Sequence, residues 1–188
     1  MLTARETVDD RAGMLALGRR LARVLVAGDL VVLTGVLGAG KTTLAQGIGA
    51  GLGVRGPITS PTFVIARVHP SQSGGPDLVH VDAYRLGSIA EVDDLDLDAT
   101  LEDAVTVVEW GEGLVDDLST DRLEISIERP RGTRLAGPDG DRDPGADPAA
   151  VESSPRIVEL RGVGARWADV ALPPPLNAVT APSAPWPT

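Results

Sequence analysis

Residues 30–44 read LVVLTGVLGAGKTTL, and within them 35–42 fit the pattern GxxxxGK[ST]. This run constrains the fold more than any other stretch, because its pieces must come in one order. Leu30 to Leu33 form a short unbroken aliphatic run, which marks a strand buried on both faces. The glycines after it let backbone amides turn inward as a nest for a phosphate, and the N-terminus of a following helix adds partial positive charge. In that geometry Lys41 reaches the β- and γ-phosphate oxygens and the Thr42 hydroxyl ligates Mg²⁺. Composition singles out the same position: of 17 basic residues, 16 are arginine, and Lys41 is the only lysine. An ammonium is a compact point charge with three donors, chemically unlike a planar guanidinium. The predicted nucleotide-binding set is therefore Gly35, Leu37, Gly38, Ala39, Gly40, Lys41, Thr42 and Thr43.

Around this loop the periodicities predict an α/β chain. Met14, Leu17, Leu21, Val24 and Leu25 fall at helical spacing over residues 10–26, with Thr7, Asp9 and Asp10 as candidate caps. Residues 42–52 read as the helix after the loop, interrupted by Gly47, Gly49 and Gly51. Strands at 63–68 and 78–82, joined by a Pro/Ser/Gly loop, predict a hairpin and hence a mixed sheet. A helix around 99–104 is expected to feed a strand at 105–108, with further strands at 123–128 and 156–160. The expected architecture is a three-layer P-loop NTPase fold with a mixed, mostly parallel central sheet, forming one domain over residues 1–172. Eleven of the 15 prolines lie at or beyond Pro130, so 131–155 reads as a loop inserted between two strands and 173–188 as a disordered tail.

A phosphate loop needs carboxylates to hold the metal and order a water. LVHVD ends a strand at Asp82 and VTVVEW ends another at Glu109, at the strand termini where α/β sheets assemble their sites. Asp82, Glu109 and Lys41 are the predicted catalytic residues, and Thr42, Glu109 and Asp82 the predicted Mg²⁺ ligands, with the direct carboxylate ligand left open between the two acids. Asp93, Asp94, Asp96 and Asp98 read as solvated surface, since they lack the glycine and terminal glutamate of a calcium loop. His69 and His80, the only histidines, lack metal-ligand spacing and read as polar or packing residues. A guanine-reading NKxD motif is excluded, because the only asparagine is Asn177 and the only lysine is in the loop, so ATP is the expected nucleotide.

The absence of cysteine excludes disulfides, thiolate zinc sites and a cysteine nucleophile. The start has no secretory pattern and no apolar stretch approaches membrane-spanning length, so a cytoplasmic protein with no membrane partner is expected. A net charge of −10 disfavours autonomous binding to a nucleic-acid backbone.

With these motifs in place the chain resembles the TsaE (YjeE) family of small bacterial P-loop ATPases. The resemblance rests on LGAGKTT at 37–43, SPTF at 60–63, HVDAYRL at 80–86 and VVEW at 107–110. It implies a role in making the threonylcarbamoyl-adenosine modification of tRNA, with ATP and Mg²⁺ as cofactors. Docking would be on the TsaB and TsaD proteins, and tRNA would be reached only through that complex. By position it implies that Thr62 belongs to a nucleotide-sensing switch and that Arg85 and Trp110 are functional or partner positions. Two features depart from the family pattern: Val36 stands where many members have an acid, and the 131–155 insertion is outside the family core. Two other readings share the loop. A small-molecule phosphotransferase usually needs a basic lid, yet residues 91–124 hold 13 acids and one base, Arg122. A nucleotide-dependent scaffold with negligible hydrolysis would tolerate Val36.

Overall fold

The computed structural model describes residues 2–61, 65–86, 91, 102–116, 118–129, 155–172 and 174. The elements run β1 (Thr3–Val8), α1 (Arg11–Leu21), β2 (Leu30–Thr34), α2 (Lys41–Leu52), β3 (Ala66–His69), β4 (Asp77–Asp82), β5 (Ala104–Glu109), β6 (Arg122–Glu128) and β7 (Arg156–Val163). Short 3₁₀ turns occupy Ala83–Arg85 and Ala165–Trp167. The strands form one sheet in the order β1-β7-β6-β2-β5-β4-β3. Its four central strands, β6, β2, β5 and β4, are parallel, and the margins are antiparallel.

The aliphatic run of β2 is central because both its faces are buried. Val31 and Leu33 face α1 and α2 together with Val105, Val107, Leu123 and Ile125. Leu30 and Val32 face the opposite way, where Val79, Val81, Val108 and Val115 form a second core flanked by Leu86, Leu114 and Leu118. The sheet is thus the middle layer of three, as expected for this fold class. Toward β1 the second face turns polar, and Arg5–Glu159 and Arg161–Glu124 pairs line it at 3.2 and 2.9 Å.

Several boundaries differ from the sequence reading for identifiable reasons. Strand β1 was not expected: only Val8 of its six residues is buried, and its hydrogen bonds come from β7, with Thr3 opposite Arg161 and Val8 opposite Arg156. Helix α1 stops at Leu21 rather than running to residue 26. There Arg166 bonds both oxygens of Asp29, at 3.0 and 2.9 Å, and the Val24 carbonyl at 2.6 Å, which fixes the chain in a turn although Val24 and Leu25 keep helical spacing. Its start is as expected, with the Asp10 side chain accepting from the Gly13 N–H at 2.7 Å. Glu102 and Asp103 form a turn and Ala104 opens β5, so the expected helix does not extend over them; 99–101 lie outside the described residues, as do almost all of 131–155 and 173–188.

The glycines of α2 are contact points. A methyl group placed on Gly47 would sit 2.5 Å from the Leu15 carbonyl oxygen, and one on Gly18 of α1 would sit 2.6 Å from the Ile48 nitrogen. Both obstacles are backbone, so no side chain can rotate away and the helices would have to part. Gly47→Ala should gain up to about 1 kcal/mol of helix propensity and lose roughly 1–3 kcal/mol to overpacking. The expected net result is a lower melting temperature in calorimetry. An unchanged or raised value would mean that the α1–α2 contact yields easily.

Candidate functional site

The loop between β2 and α2 opens at the carboxyl ends of the parallel strands. Gly35, Gly38 and Gly40 have φ of 139°, 76° and 115°. At Gly35 the requirement is double, since a side chain would also meet the Ile127 carbonyl oxygen at 2.4 Å. Helix α2 begins at Lys41 with no side-chain cap and no acid in its first turn. Its first amide groups therefore lack the usual internal acceptors and suit an anion.

Lys41 is 4% exposed, and its ammonium donates to the Gly35 carbonyl at 2.7 Å and the Val36 carbonyl at 3.3 Å. Burial pushes its pKa below the usual lysine range, while the Glu109 and Asp82 charges pull it back up. The Trp110 ring covers the ammonium at 3.5 Å from its centroid and meets the Tyr84 ring at 5.3 Å. Trp110 reaches this place because its φ of 63° turns the chain sharply after β5, with its N–H on the Leu33 carbonyl at 3.0 Å. A non-glycine residue held in the left-handed region costs about 1–3 kcal/mol.

The two expected acids arrive from adjacent parallel strands. Asp82 pairs in register with Glu109, and each is 3% exposed. Glu109 Oε1 accepts from the Thr42 hydroxyl at 2.8 Å and lies 2.9 Å from His80 Nε2. Asp82 accepts from the Ser60 hydroxyl at 3.0 Å and, through its other oxygen, from the Tyr84 N–H at 3.1 Å. Lys41, Thr42, Ser60, Asp82, Tyr84, Glu109 and Trp110 line a cleft of about 540 Å³ with Leu37, Gly38, Gly40, Thr43, Arg11, Met14 and Arg156, while His80 sits buried behind Glu109. Among the described residues no cluster of three or more His, Asp or Glu forms a protein-only metal cage. A hydroxyl and two carboxylates are nevertheless the hard donors that Mg²⁺ takes from a protein when substrate phosphates and waters complete its shell.

Of the sequence-predicted residues, Lys41, Thr42, Thr43, Asp82, Glu109 and Trp110 converge on the cleft. Ala39 is fully buried and presents its carbonyl to Arg156 Nε at 3.4 Å, while Leu37 is 78% exposed at the rim. Arg85 closes the 3₁₀ turn after Asp82 and does not enter the cleft lining. Thr62 lies outside the described residues, as do Asp93, Asp94, Asp96 and Asp98. His80, read from sequence as a polar or packing residue, bonds Glu109. A signal existed: two residues before Asp82 on a strand places it on the same face. His69, the other histidine, is buried with Nδ1 3.4 Å from the Arg55 carbonyl. Arg156 had no such signal, because it reaches the loop from the start of β7, opposite Val8 and far from Ala39 in sequence.

A buried strand, a glycine loop with one lysine, a helix, and acids at neighbouring strand ends together define the class as P-loop NTPase. Residues 8–136 match the family model "Threonylcarbamoyl adenosine biosynthesis protein TsaE". The chain belongs to the TsaE family. It is 57% identical over 156 residues to the tRNA threonylcarbamoyladenosine biosynthesis protein TsaE of Streptomyces coelicolor, covering 82% of this chain and 94% of that one. The protein of the same name from Mycobacterium tuberculosis is 57% identical over 122 residues, covering 61% of this chain and 73% of its own length. The crystal structure of Bacillus subtilis YdiB aligns with a TM-score of 0.59 at 25% identity, covering 87% of each chain.

Proposed function

We propose that this chain binds Mg²⁺·ATP and hydrolyses it, slowly when alone, in support of the threonylcarbamoyl-adenosine modification of tRNA, by acting on the TsaB and TsaD proteins. The observation that carries this reading is Lys41 held inside the glycine loop, next to a Thr42 hydroxyl already tied to Glu109. The names of the relatives supply the biosynthetic context.

In this reading the loop amides and Lys41 position the triphosphate, and catalysis is placement and charge neutralisation without a covalent intermediate. Thr42 and Asp82 would hold Mg²⁺, with Glu109 beside them serving the water, and the ion when bound would neutralise charge on the phosphate oxygens. Glu109 orients the attacking water and accepts its proton, a role suited to a carboxylate almost closed to bulk solvent. Lys41 must exchange the Gly35 and Val36 carbonyls for phosphate oxygens, a stronger charge-assisted pairing. Trp110 screens that ammonium from water. With a net charge of −10, contact with tRNA runs through partner proteins.

Phosphate release measured with ATP and Mg²⁺, with and without TsaB and TsaD, tests the proposal. Turnover that rises when the partners are added is expected. Exposed, apolar Val36 beside the phosphate site favours a second reading, the nucleotide-dependent scaffold. ATP-enhanced docking on the partners with no turnover in either condition would select it.

A further inference from the structure

We infer that His80 is a positioning residue for the hydrolytic step, holding Glu109 so that the carboxylate works through its second oxygen. This rests on the ATPase reading above. His80 is fully buried, and its Nε2 lies 2.9 Å from Glu109 Oε1, the same oxygen that takes the Thr42 hydroxyl at 2.8 Å. An ionised carboxylate only accepts, so both neighbours donate and the proton of a neutral imidazole sits on Nε2. Nδ1 has no hydrogen-bond partner among the described residues.

The packing argues against a filler role. His80 shares its face of β4 with buried Leu78, and it stands in register with buried Val107 on β5. An aliphatic side chain there would avoid an orphaned ring nitrogen. The imidazole is offset by one described polar contact, and that contact is Glu109. The consequence is mechanical. The terminal torsion of a glutamate is broad, so one hydrogen bond leaves the carboxylate free to rotate. Two donors on one oxygen, from α2 and from β4, remove that freedom. Oε2, which takes no hydrogen bond from a described residue, is left as the oxygen available to the reaction.

The test uses the full chain with TsaB and TsaD. His80→Leu is expected to lower kcat at least tenfold while leaving KM for ATP within about twofold. His80→Gln, whose amide N–H can replace Nε2–H, is expected to recover most of kcat. Equal kcat in wild type and His80→Leu would overturn the inference while leaving the ATPase reading intact, and so would equal losses in both variants. No phosphate release from the wild type would sink the ATPase reading and the inference with it. Nitrogen-15 NMR reads the tautomer with His80 itself unchanged and has only two histidines to assign. An Nε2–H tautomer of His80 whose resonance shifts in Glu109→Gln supports the tether; an Nδ1–H tautomer overturns it.

Discussion

Lys41→Ala is expected to weaken binding of Mg²⁺·ATP by about 30-fold to several thousand-fold and to abolish measurable turnover. The range follows from the roughly 2–5 kcal/mol lost when a hydrogen-bonded, desolvated charge pair is truncated, at 1.4 kcal/mol per tenfold. Lys41 meets the conditions for the upper part of that range, being 4% exposed, screened by Trp110 and seated at the first residue of α2. Lys41→Arg is the sharper companion. The chain uses arginine at every other basic position, yet a planar fork does not fit where the ammonium sits 2.7 Å from Gly35 O and 3.5 Å from the indole centroid. It should fail nearly as completely as alanine. Titration calorimetry of folded protein checks both variants. Wild-type affinity in Lys41→Ala would remove the site assignment.

The same site shows why some of the molecule was legible in its sequence and some was not. The strand, loop and helix were readable because each piece is local: Leu30 to Leu33, the glycines and Lys41 lie within a dozen residues and their geometry follows from backbone chemistry. Asp82 and Glu109 were readable because strand ends are where sites form, although their adjacency depends on the β4–β5 register. β1 was not readable, since its alternation is polar and its partner β7 lies more than 140 residues away. The early end of α1 depends on Arg166 reaching Asp29, again a distant pair. Arg156 comes to the loop by the same kind of non-local contact. His80 is a different case: its position on the Asp82 face was visible, but nothing in the sequence reveals that a ring nitrogen stops 2.9 Å from Glu109. Spacing reports faces, and only packing reports hydrogen bonds.

Glu109→Gln separates holding from chemistry. The side chains have nearly the same shape, and the amide oxygen still accepts from Thr42 and His80, so the buried network around Oε1 survives. The negative charge does not, nor does Oε2 as the proposed proton acceptor. Binding of ATP is expected to stay within about threefold of wild type, since one anionic neighbour of the triphosphate is lost. Hydrolysis is expected to fall about 10²–10⁴-fold, the range for removing a positioned general base. The split between the two readouts is what identifies the role. If Glu109 mainly held the metal, binding of Mg²⁺·ATP would weaken in parallel with turnover, whereas metal-free nucleotide binding would be unaffected. If Asp82 were the base, Asp82→Asn would show the split and Glu109→Gln would not. Asp82 also anchors Ser60 and the turn carrying Tyr84, so its substitution is expected to lower the melting temperature as well as the rate. Full phosphate release by Glu109→Gln, at wild-type affinity, would leave the proposed chemistry without its proton acceptor.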